Sequence, residues 1–213
     1  MRVLAIAATW AAALTCSAPV PTPAGSTQLV TVSAAGYGTA VAALELWQRS
    51  GGCWRRVGGP WQARLGRSGL SPHKREGDGA TPTGTYRLGD TVYGIEPDPG
   101  VAGSYHRLVC GDWWDEDVRS PAYNTFQHVR CGVRPSFAGG SEALWRISPQ
   151  YRYFAAIDYN AHPVVPGRGS AIFLHVSTGN PTAGCVSLPE ARLVRLLRWL
   201  RPSAAPVVHL GIS

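Results

Sequence analysis

Cys185 and His175 are the residues of this chain whose types and spacing best suit nucleophilic chemistry. His175 lies near the end of an apolar run, residues 171–176, and Cys185 follows ten residues later, after a turn of small residues. A thiol becomes a nucleophile when a base takes its proton and a positive local field stabilises the thiolate. We therefore predict Cys185 as the nucleophile and His175 as its general base. The alternative is a buried free cysteine and a core histidine that never meet.

The residues around Cys185 also predict a helix start and an oxyanion hole. Ser187 can act as an N-cap, Glu190 three residues later completes a capping box, and Pro189 suits the first turn. The N–H groups of that turn would stabilise a thiolate. Gly184 has no side chain, so the N–H groups of Gly184 and Cys185 are the predicted oxyanion donors. We expect the helix to run to about residue 201, with an apolar face of Leu193, Leu196, Leu197 and Leu200.

Short apolar runs separated by glycine and proline predict a mainly β domain around this site. The chain contains 25 Gly and 17 Pro, which are typical of frequent turns. Residues 66–85 are predicted as a loop, in which Arg75, Glu76 and Asp78 are interpreted as solvated. Residues 94–150 are predicted as a long loop-rich excursion with one short helix near 141–145. The predicted strands lie in residues 28–33, 41–47, 53–57, 61–65, 85–88, 153–157, 171–176 and 206–210.

The first residues resemble an export signal. Arg2 precedes an apolar stretch, residues 3–14, which at 12 residues is too short for an ordinary membrane span. A small-x-small site at residues 22–24 is the expected cleavage point, so we predict residues 1–24 as a signal peptide and 25–213 as one catalytic domain. A second interpretation makes Cys16 a lipoprotein cysteine that anchors the protein to a membrane.

The charge of the chain agrees with a location near the cell wall. The formal net charge is +7, and Lys74 is the single lysine among 20 basic residues. A basic exported protein is attracted to anionic cell-wall polymers. The chain has no basic block and no nucleic-acid-reading motif, so we expect no nucleic-acid partner.

The remaining cysteines predict one disulfide. If Cys185 is catalytic it stays free, and Cys110 and Cys131 become the natural pair, closing a loop of roughly 20 residues that stabilises the fold by about 3 kcal/mol. Cys53 is then left over as a small buried apolar residue, although spacing leaves its pairing with either of the other two open. The chain has no Cys-x-x-Cys, His-Glu-x-x-His or Gly-x-Ser-x-Gly, so we expect no metal, no cofactor and no serine nucleophile.

His175, the turn at residues 181–186 and the upstream Thr-Pro-Thr-Gly-Thr-Tyr at residues 81–86 resemble the catalytic domain of the L,D-transpeptidases, the YkuD-type fold. The resemblance implies a β-sandwich or barrel-like domain with one or two short helices. It implies that the cysteine attacks a peptidoglycan tetrapeptide stem, releases D-alanine and transfers the acyl group to the side-chain amine of a second stem, forming a 3→3 cross-link. It also implies that the carbonyl of Val176 orients His175.

The chain departs from the family pattern at Ala183, which replaces a second histidine, and at Ser187, which replaces an arginine or asparagine. Residues that flank the His175 run are predicted to bind substrate in their place, and an arginine among them suits a carboxylate of the stem. These candidates are Tyr159, Asn160, Arg168 and Ser170. Two alternative functions stay open: a cysteine peptidase that hydrolyses the stem, and a cell-wall binding domain that has lost catalysis.

Overall fold

The computed structural model describes residues 16–213, which fold around one mixed β-sheet that closes into a barrel. The elements of this part of the chain are β1 Gln28–Ala34, β2 Val41–Ser50, β3 Cys53–Arg64, β4 Leu70–Ser71, β5 Thr81–Pro82, β6 Gly84–Gly94, β7 Ser104–Arg107, β8 Asp112–Asp115, β9 Thr125–His128, β10 Glu142–Ala143, β11 Phe154–Ile157, β12 Phe173–Val176, β13 Val186–Leu188, α1 Glu190–Trp199 and β14 Val207–Ile212. Short 3-10 turns occur at Leu144–Arg146, Gln150–Arg152 and Pro202–Ala204.

The main sheet runs in the order β11-β12-β13-β3-β2-β1-β14-β6-β7, and β11 also pairs with β6. This second pairing returns the sheet onto itself, so the inward side chains of eight strands form one core. Burial alternates along β2, where Leu44 and Leu46 are buried and the intervening Glu45 is partly exposed, as expected for a strand with one face on the core. The predicted fold class, a mainly β barrel-like domain with little helix, is confirmed.

Helix α1 covers one side of the barrel with the predicted leucines, but the predicted helix start is wrong. Leu193, Leu196 and Leu197 are fully buried. The helix begins at Glu190 after Pro189, with no side-chain cap, and Ser187 instead lies in β13. Pairing of Ser187 with β3 and β12 outweighs the local capping pattern. A strand, and not the first turn of α1, therefore follows Cys185 in the chain. The predicted stabilisation of a Cys185 thiolate by the N–H groups of that turn does not apply.

The excursion between β6 and β11 is more ordered than the sequence predicts. Its strands β8, β9 and β10 form a separate three-stranded sheet, and the predicted short helix is the 3-10 turn Leu144–Arg146. The Cys110–Cys131 disulfide is present. The fully buried Asp112 accepts hydrogen bonds from the rings of His106 and His128, at 2.8 and 2.6 Å. The disulfide and these hydrogen bonds hold the three-stranded sheet of the excursion in place beside the barrel.

The sequence pattern predicts that Cys53 stays unpaired. In the structure Cys53 instead forms a disulfide with Cys16. The segment that follows Cys16 belongs to the folded domain, because Ala18 and Val20 pack against a small core cluster that includes Trp54. Cleavage after residue 24 would remove Cys16, and a lipid on its sulfur would occupy the same atom. Either event would exclude the disulfide in the same molecule. The predicted n-region and apolar stretch lie outside the described residues.

Within residues 16–213, no helix is long and apolar enough to cross a bilayer.

Candidate active site

The barrel places Cys185 and His175 on one face of two neighbouring parallel strands. In the register of β12 and β13, His175 lies opposite Ser187. Since side chains alternate along a strand, Cys185, two residues before Ser187, projects to the same face as His175. Both are buried, at 8% and 6% exposure, and both line one cavity of about 220 Å³, which we call the outer cavity. The structure thus brings the predicted nucleophile and base together.

His175 is held in the orientation that a general base requires. Its Nδ1 donates a hydrogen bond to the carbonyl oxygen of Val176 at 2.8 Å, as the resemblance implies, so Nε2 is the ring nitrogen with a free lone pair. Burial lowers the pKa of the imidazole to about 4, although the Val176 carbonyl opposes the shift. The ring of Tyr151 packs edge-on at 5.9 Å. At neutral pH the ring is therefore uncharged and able to accept a proton.

The sulfur of Cys185 is held as a neutral thiol. Sγ accepts a hydrogen bond from the N–H of Phe173 at 3.3 Å and donates one to the carbonyl of Ala171 at 3.2 Å. Burial raises the pKa of the thiol, and Glu142 raises it further. Neither of these two hydrogen bonds involves His175. At neutral pH the cavity therefore contains a protonated thiol and an uncharged imidazole. The hydrogen bond from the thiol to the Ala171 carbonyl must break before His175 can take the thiol proton.

The backbone before Cys185 requires a glycine. Gly184 has φ +149°, and a Cβ there would lie 2.9 Å from the carbonyl oxygen of Ala80. The N–H of Gly184 donates to the Thr182 hydroxyl at 3.1 Å, so the N–H of Cys185 is the predicted oxyanion donor without this restraint. Thr182 in turn donates to the Cys185 carbonyl at 2.7 Å. These bonds fix the turn that presents the sulfur.

Three glutamates that the sequence did not identify lie on the other side of Cys185. Glu76, Glu116 and Glu142 line a second cavity of about 210 Å³, the inner cavity, which shares Cys185, Glu142 and Ala183 with the outer one. Glu76 belongs to the loop interpreted as solvated, and the other two to the excursion. No local motif joins the three positions, which only the tertiary fold brings together.

The glutamates are packed among donors but repel one another. The hydroxyl of Tyr151 donates to Glu142, and those of Tyr123 and Ser170 reach Glu76. Burial raises the pKa of Glu116 to about 9, with added repulsion from Glu142 and Glu76. Burial also raises the pKa of Glu142 to about 7, against the hydrogen bond from Tyr151. Glu116 therefore keeps its proton at neutral pH, and Glu142 is close to the midpoint of its titration.

Of the four predicted substrate-binding residues, only Ser170 lines a cavity at Cys185. Tyr159 and Arg168 line a separate groove of about 710 Å³, together with Tyr86, Arg75 and others.

Asn160 stabilises the loop that follows it, because its side-chain amide donates to the carbonyls of Val165 and Gly169 at 3.0 and 2.9 Å. Lys74 lines both the groove and the inner cavity, so its side chain separates the two spaces.

Cys185 and an oriented, neutral His175 line one cavity of a β-barrel, an arrangement that suits a thiol nucleophile paired with a general base. The sequence model of one such family, the L,D-transpeptidase catalytic domain (YkuD), matches residues 42–208, and the chain belongs to that family. Both site residues fall within the match. The described residues hold no group of three or more His, Cys, Asp or Glu side chains that could bind a metal ion.

Among solved structures, the chain is similar to the helical cell shape determining protein Pgp2 from Campylobacter jejuni, with 14% sequence identity and a TM-score of 0.42. The similarity covers 88% of this chain and 48% of the Pgp2 chain, so this chain spans about half the length of that structure. No curated protein matches the sequence.

Proposed function

We propose that this protein is an exported L,D-transpeptidase that forms 3→3 cross-links between peptidoglycan stems, with Cys185 as nucleophile and His175 as general base. The observation that carries the proposal is the shared outer cavity, where a neutral imidazole with Nδ1 bound to Val176 lies beside the thiol. Because the pKa of His175 lies below neutral, the ring is uncharged and its Nε2 lone pair is available when substrate enters.

In the first step, the carbonyl carbon of the stem approaches Sγ and the thiol leaves its contact with Ala171. His175 Nε2 takes the thiol proton, sulfur attacks the carbonyl, and the N–H of Cys185 stabilises the oxyanion. Collapse of the intermediate breaks the C–N bond, and His175 returns the proton to the amine of the departing D-alanine. A thioester between the stem and Cys185 remains.

In the second step, the side-chain amine of another stem attacks the thioester, the C–S bond breaks and Cys185 leaves as a thiol. Two cavities that meet at Cys185 support transfer over simple hydrolysis, because donor and acceptor can approach from different sides. The arginines and tyrosines of the large groove are placed to contact carboxylates farther along the peptidoglycan, which keeps Tyr159 and Arg168 as proposed substrate contacts. Hydrolysis by a water acceptor is the second candidate.

We propose that the protein is exported and that any leader is removed before Cys16. Two disulfides are typical of proteins that fold outside the cytoplasm, and the Cys16–Cys53 bond requires that residue 16 be retained.

The function is tested by intact mass spectrometry of the oxidised protein mixed with a tetrapeptide stem, with Cys185→Ala as the matched control. The expected result is an acyl adduct and release of D-alanine from the wild type alone. Addition of a stem with a free side-chain amine then yields a cross-linked dimer if the enzyme is a transferase. A shortened tripeptide as the sole product would favour the peptidase. Absence of any adduct would reject both and favour a binding domain.

A further inference from the structure

Ser187 is a buried serine at the candidate active site, and its hydroxyl has no hydrogen-bond partner among the described residues 16–213. The residue is only 1% exposed, yet it lines the outer cavity together with Cys185 and His175. Buried hydroxyl groups are almost always hydrogen-bonded in folded proteins, because losing the bond to water without a replacement destabilises the fold. An unpaired hydroxyl at the wall of this cavity therefore indicates that a bound molecule supplies the missing partner.

The strand pattern directs this hydroxyl towards the reacting groups. The neighbours of Ser187 in β13, Val186 and Leu188, pack in the main core of the barrel. Because side chains alternate along a strand, Ser187 projects to the opposite face, as Cys185 does. In the parallel pairing of β12 with β13, the residue opposite Ser187 is His175. The serine therefore lies beside the base, on the same face as the nucleophile.

The second ring nitrogen of His175 is also available to a ligand at this cavity. Nδ1 is bound to the Val176 carbonyl at 2.8 Å, and the hydrogen bonds of the described residues leave Nε2 free. In the proposed reaction, Nε2 returns the thiol proton to the nitrogen of the departing D-alanine, so that nitrogen must lie at His175. The same nitrogen carries one N–H of its own, and the hydroxyl oxygen of Ser187 on the neighbouring strand is an acceptor for it.

We propose that Ser187 is a further catalytic residue, whose Oγ accepts a hydrogen bond from the N–H of the scissile amide. The inference rests on the proposed function and assigns its leaving-group contact. When sulfur attacks, the amide nitrogen becomes pyramidal, and its N–H and its lone pair then point in different directions. A hydrogen bond from the N–H to Ser187 holds the nitrogen with its lone pair towards Nε2 of His175. Orientation of this kind lowers the barrier to proton transfer.

The step balances without a further reactant. His175 gives the proton that it took from Cys185 to the lone pair of the nitrogen. The oxyanion restores the C=O double bond, the C–N bond breaks, and its electron pair remains on the departing nitrogen. D-alanine leaves as a neutral amine with two N–H bonds, one made with the proton from His175 and one held until then by Ser187. The serine keeps its own proton throughout.

The test compares two tetrapeptide stems that differ at the scissile bond: the normal stem, which ends in D-alanine, and a stem that ends in D-lactate, where an ester oxygen replaces the N–H. Intact mass spectrometry gives the rate of acyl adduct formation in a single turnover for the wild type and Ser187→Ala. We expect Ser187→Ala to slow the reaction of the amide about five- to tenfold and that of the ester less than about twofold. Both stems form the same thioester, so only the leaving group differs.

The matched control is Ser177→Ala. The Ser177 hydroxyl accepts a hydrogen bond from the N–H of Gly179 at 3.0 Å, and the residue lines neither cavity. This substitution should change the rates with the amide and the ester by the same factor.

Unfolding in urea supplies a second readout. Since Oγ of Ser187 has no partner in the described protein, Ser187→Ala should unfold at the same urea concentration as the wild type or at a higher one. A large fall in this midpoint, or equal slowing of the amide and the ester, overturns the inference and leaves the transpeptidase proposal intact. If the wild type forms no adduct with either stem, the proposed function is rejected, and the inference that rests on it is rejected as well.

Discussion

The hydroxyl of Thr81 donates a hydrogen bond to the carbonyl oxygen of Cys185 at 3.3 Å and accepts one from the N–H of Gly66 at 2.8 Å. Thr81 is fully buried and belongs to the Thr-Pro-Thr-Gly segment that resembles the family motif. The segment therefore has a physical role: it ties the cysteine turn to a strand that lies more than a hundred residues earlier in the chain. Sequence reasoning identified the motif but not this contact.

Replacing Thr81 by Val should loosen the site, because valine keeps the shape but leaves the Cys185 carbonyl and the Gly66 N–H without this hydroxyl. We expect a loss of about 1–3 kcal/mol in the free energy of unfolding, measured by urea titration, and a lower rate of D-alanine release. Thr83→Val, in the same motif, is the control. Equal effects at both positions would argue against a specific role for Thr81.

Cys185→Ala should abolish acyl transfer, and His175→Ala should leave little of it, since the neutral imidazole of His175 shares the outer cavity with the thiol and is oriented by Val176. The measurement is D-alanine release from a tetrapeptide stem by each purified, folded variant. Turnover by Cys185→Ala at the wild-type rate would contradict the mechanism. A His175→Ala enzyme of normal activity would assign the proton transfer to another group.

The pH profile should report the buried imidazole. Because burial lowers the pKa of His175 from 6.5 to about 4, the base stays neutral well into the acid range. We expect the acid limb of kcat/KM to fall near pH 4. The same shift makes the fold bind this proton less readily than the unfolded chain does, so the contribution of His175 to stability declines as the pH drops from about 6.5 to about 4. An acid limb near pH 6.5 would show that the ring is solvated.

The inner cavity should make the fold less stable as the pH rises. Burial raises the pKa of Glu116 from 4.5 to about 9, so the unfolded chain loses this proton at lower pH than the fold does. The stabilising contribution of the protonated carboxyl is complete below about pH 4.5 and is lost progressively up to about pH 9. Glu116→Gln should remove up to about 1.4 kcal/mol per pH unit of this slope. Thermal denaturation of both proteins across that range makes the comparison, and identical slopes would contradict it.

Non-reducing peptide mapping of the purified protein should find Cys16 joined to Cys53, Cys110 joined to Cys131, and Cys185 as a thiol. Cys53→Ala should lower the free energy of unfolding by about 3–4 kcal/mol, since the lost bond closes a loop of 37 residues. A mature chain that begins after residue 24 would remove the basis for this prediction and leave Cys53 without that partner.

The parts of the site that the sequence predicted are those encoded locally. Cys185 and its glycine lie in one turn, and His175 lies on the adjacent buried strand, so short-range pattern was enough to select them. Ser187 shows the limit of the same reasoning: its spacing to Glu190 fits a helix cap, yet sheet pairing with Arg64 decides its structure.

The inner cavity could not be predicted in this way. Glu76, Glu116 and Glu142 lie in three separate loops and edges, and their proximity depends on how the excursion folds past the barrel. Each glutamate alone resembles a surface residue. Burial in the fold raises the pKa of Glu116 and of Glu142, and repulsion from the other two glutamates raises that of Glu116 further. Likewise, the partner of Cys53 lay in a segment that the sequence assigned to a removable signal.

The ion pair between Lys74 and Asp78 has a consequence for the proposed thioester at Cys185. A thioester attacked by amines is open to any lysine within reach, including those of the protein that carries it. Here the only lysine side chain is 4% exposed and locked to a carboxylate, while the other basic side chains are arginines, whose guanidinium groups stay protonated and do not act as nucleophiles. Under the proposed mechanism, the Cys185 thioester therefore meets no unpaired lysine amine of its own chain, which protects the protein from acylating itself.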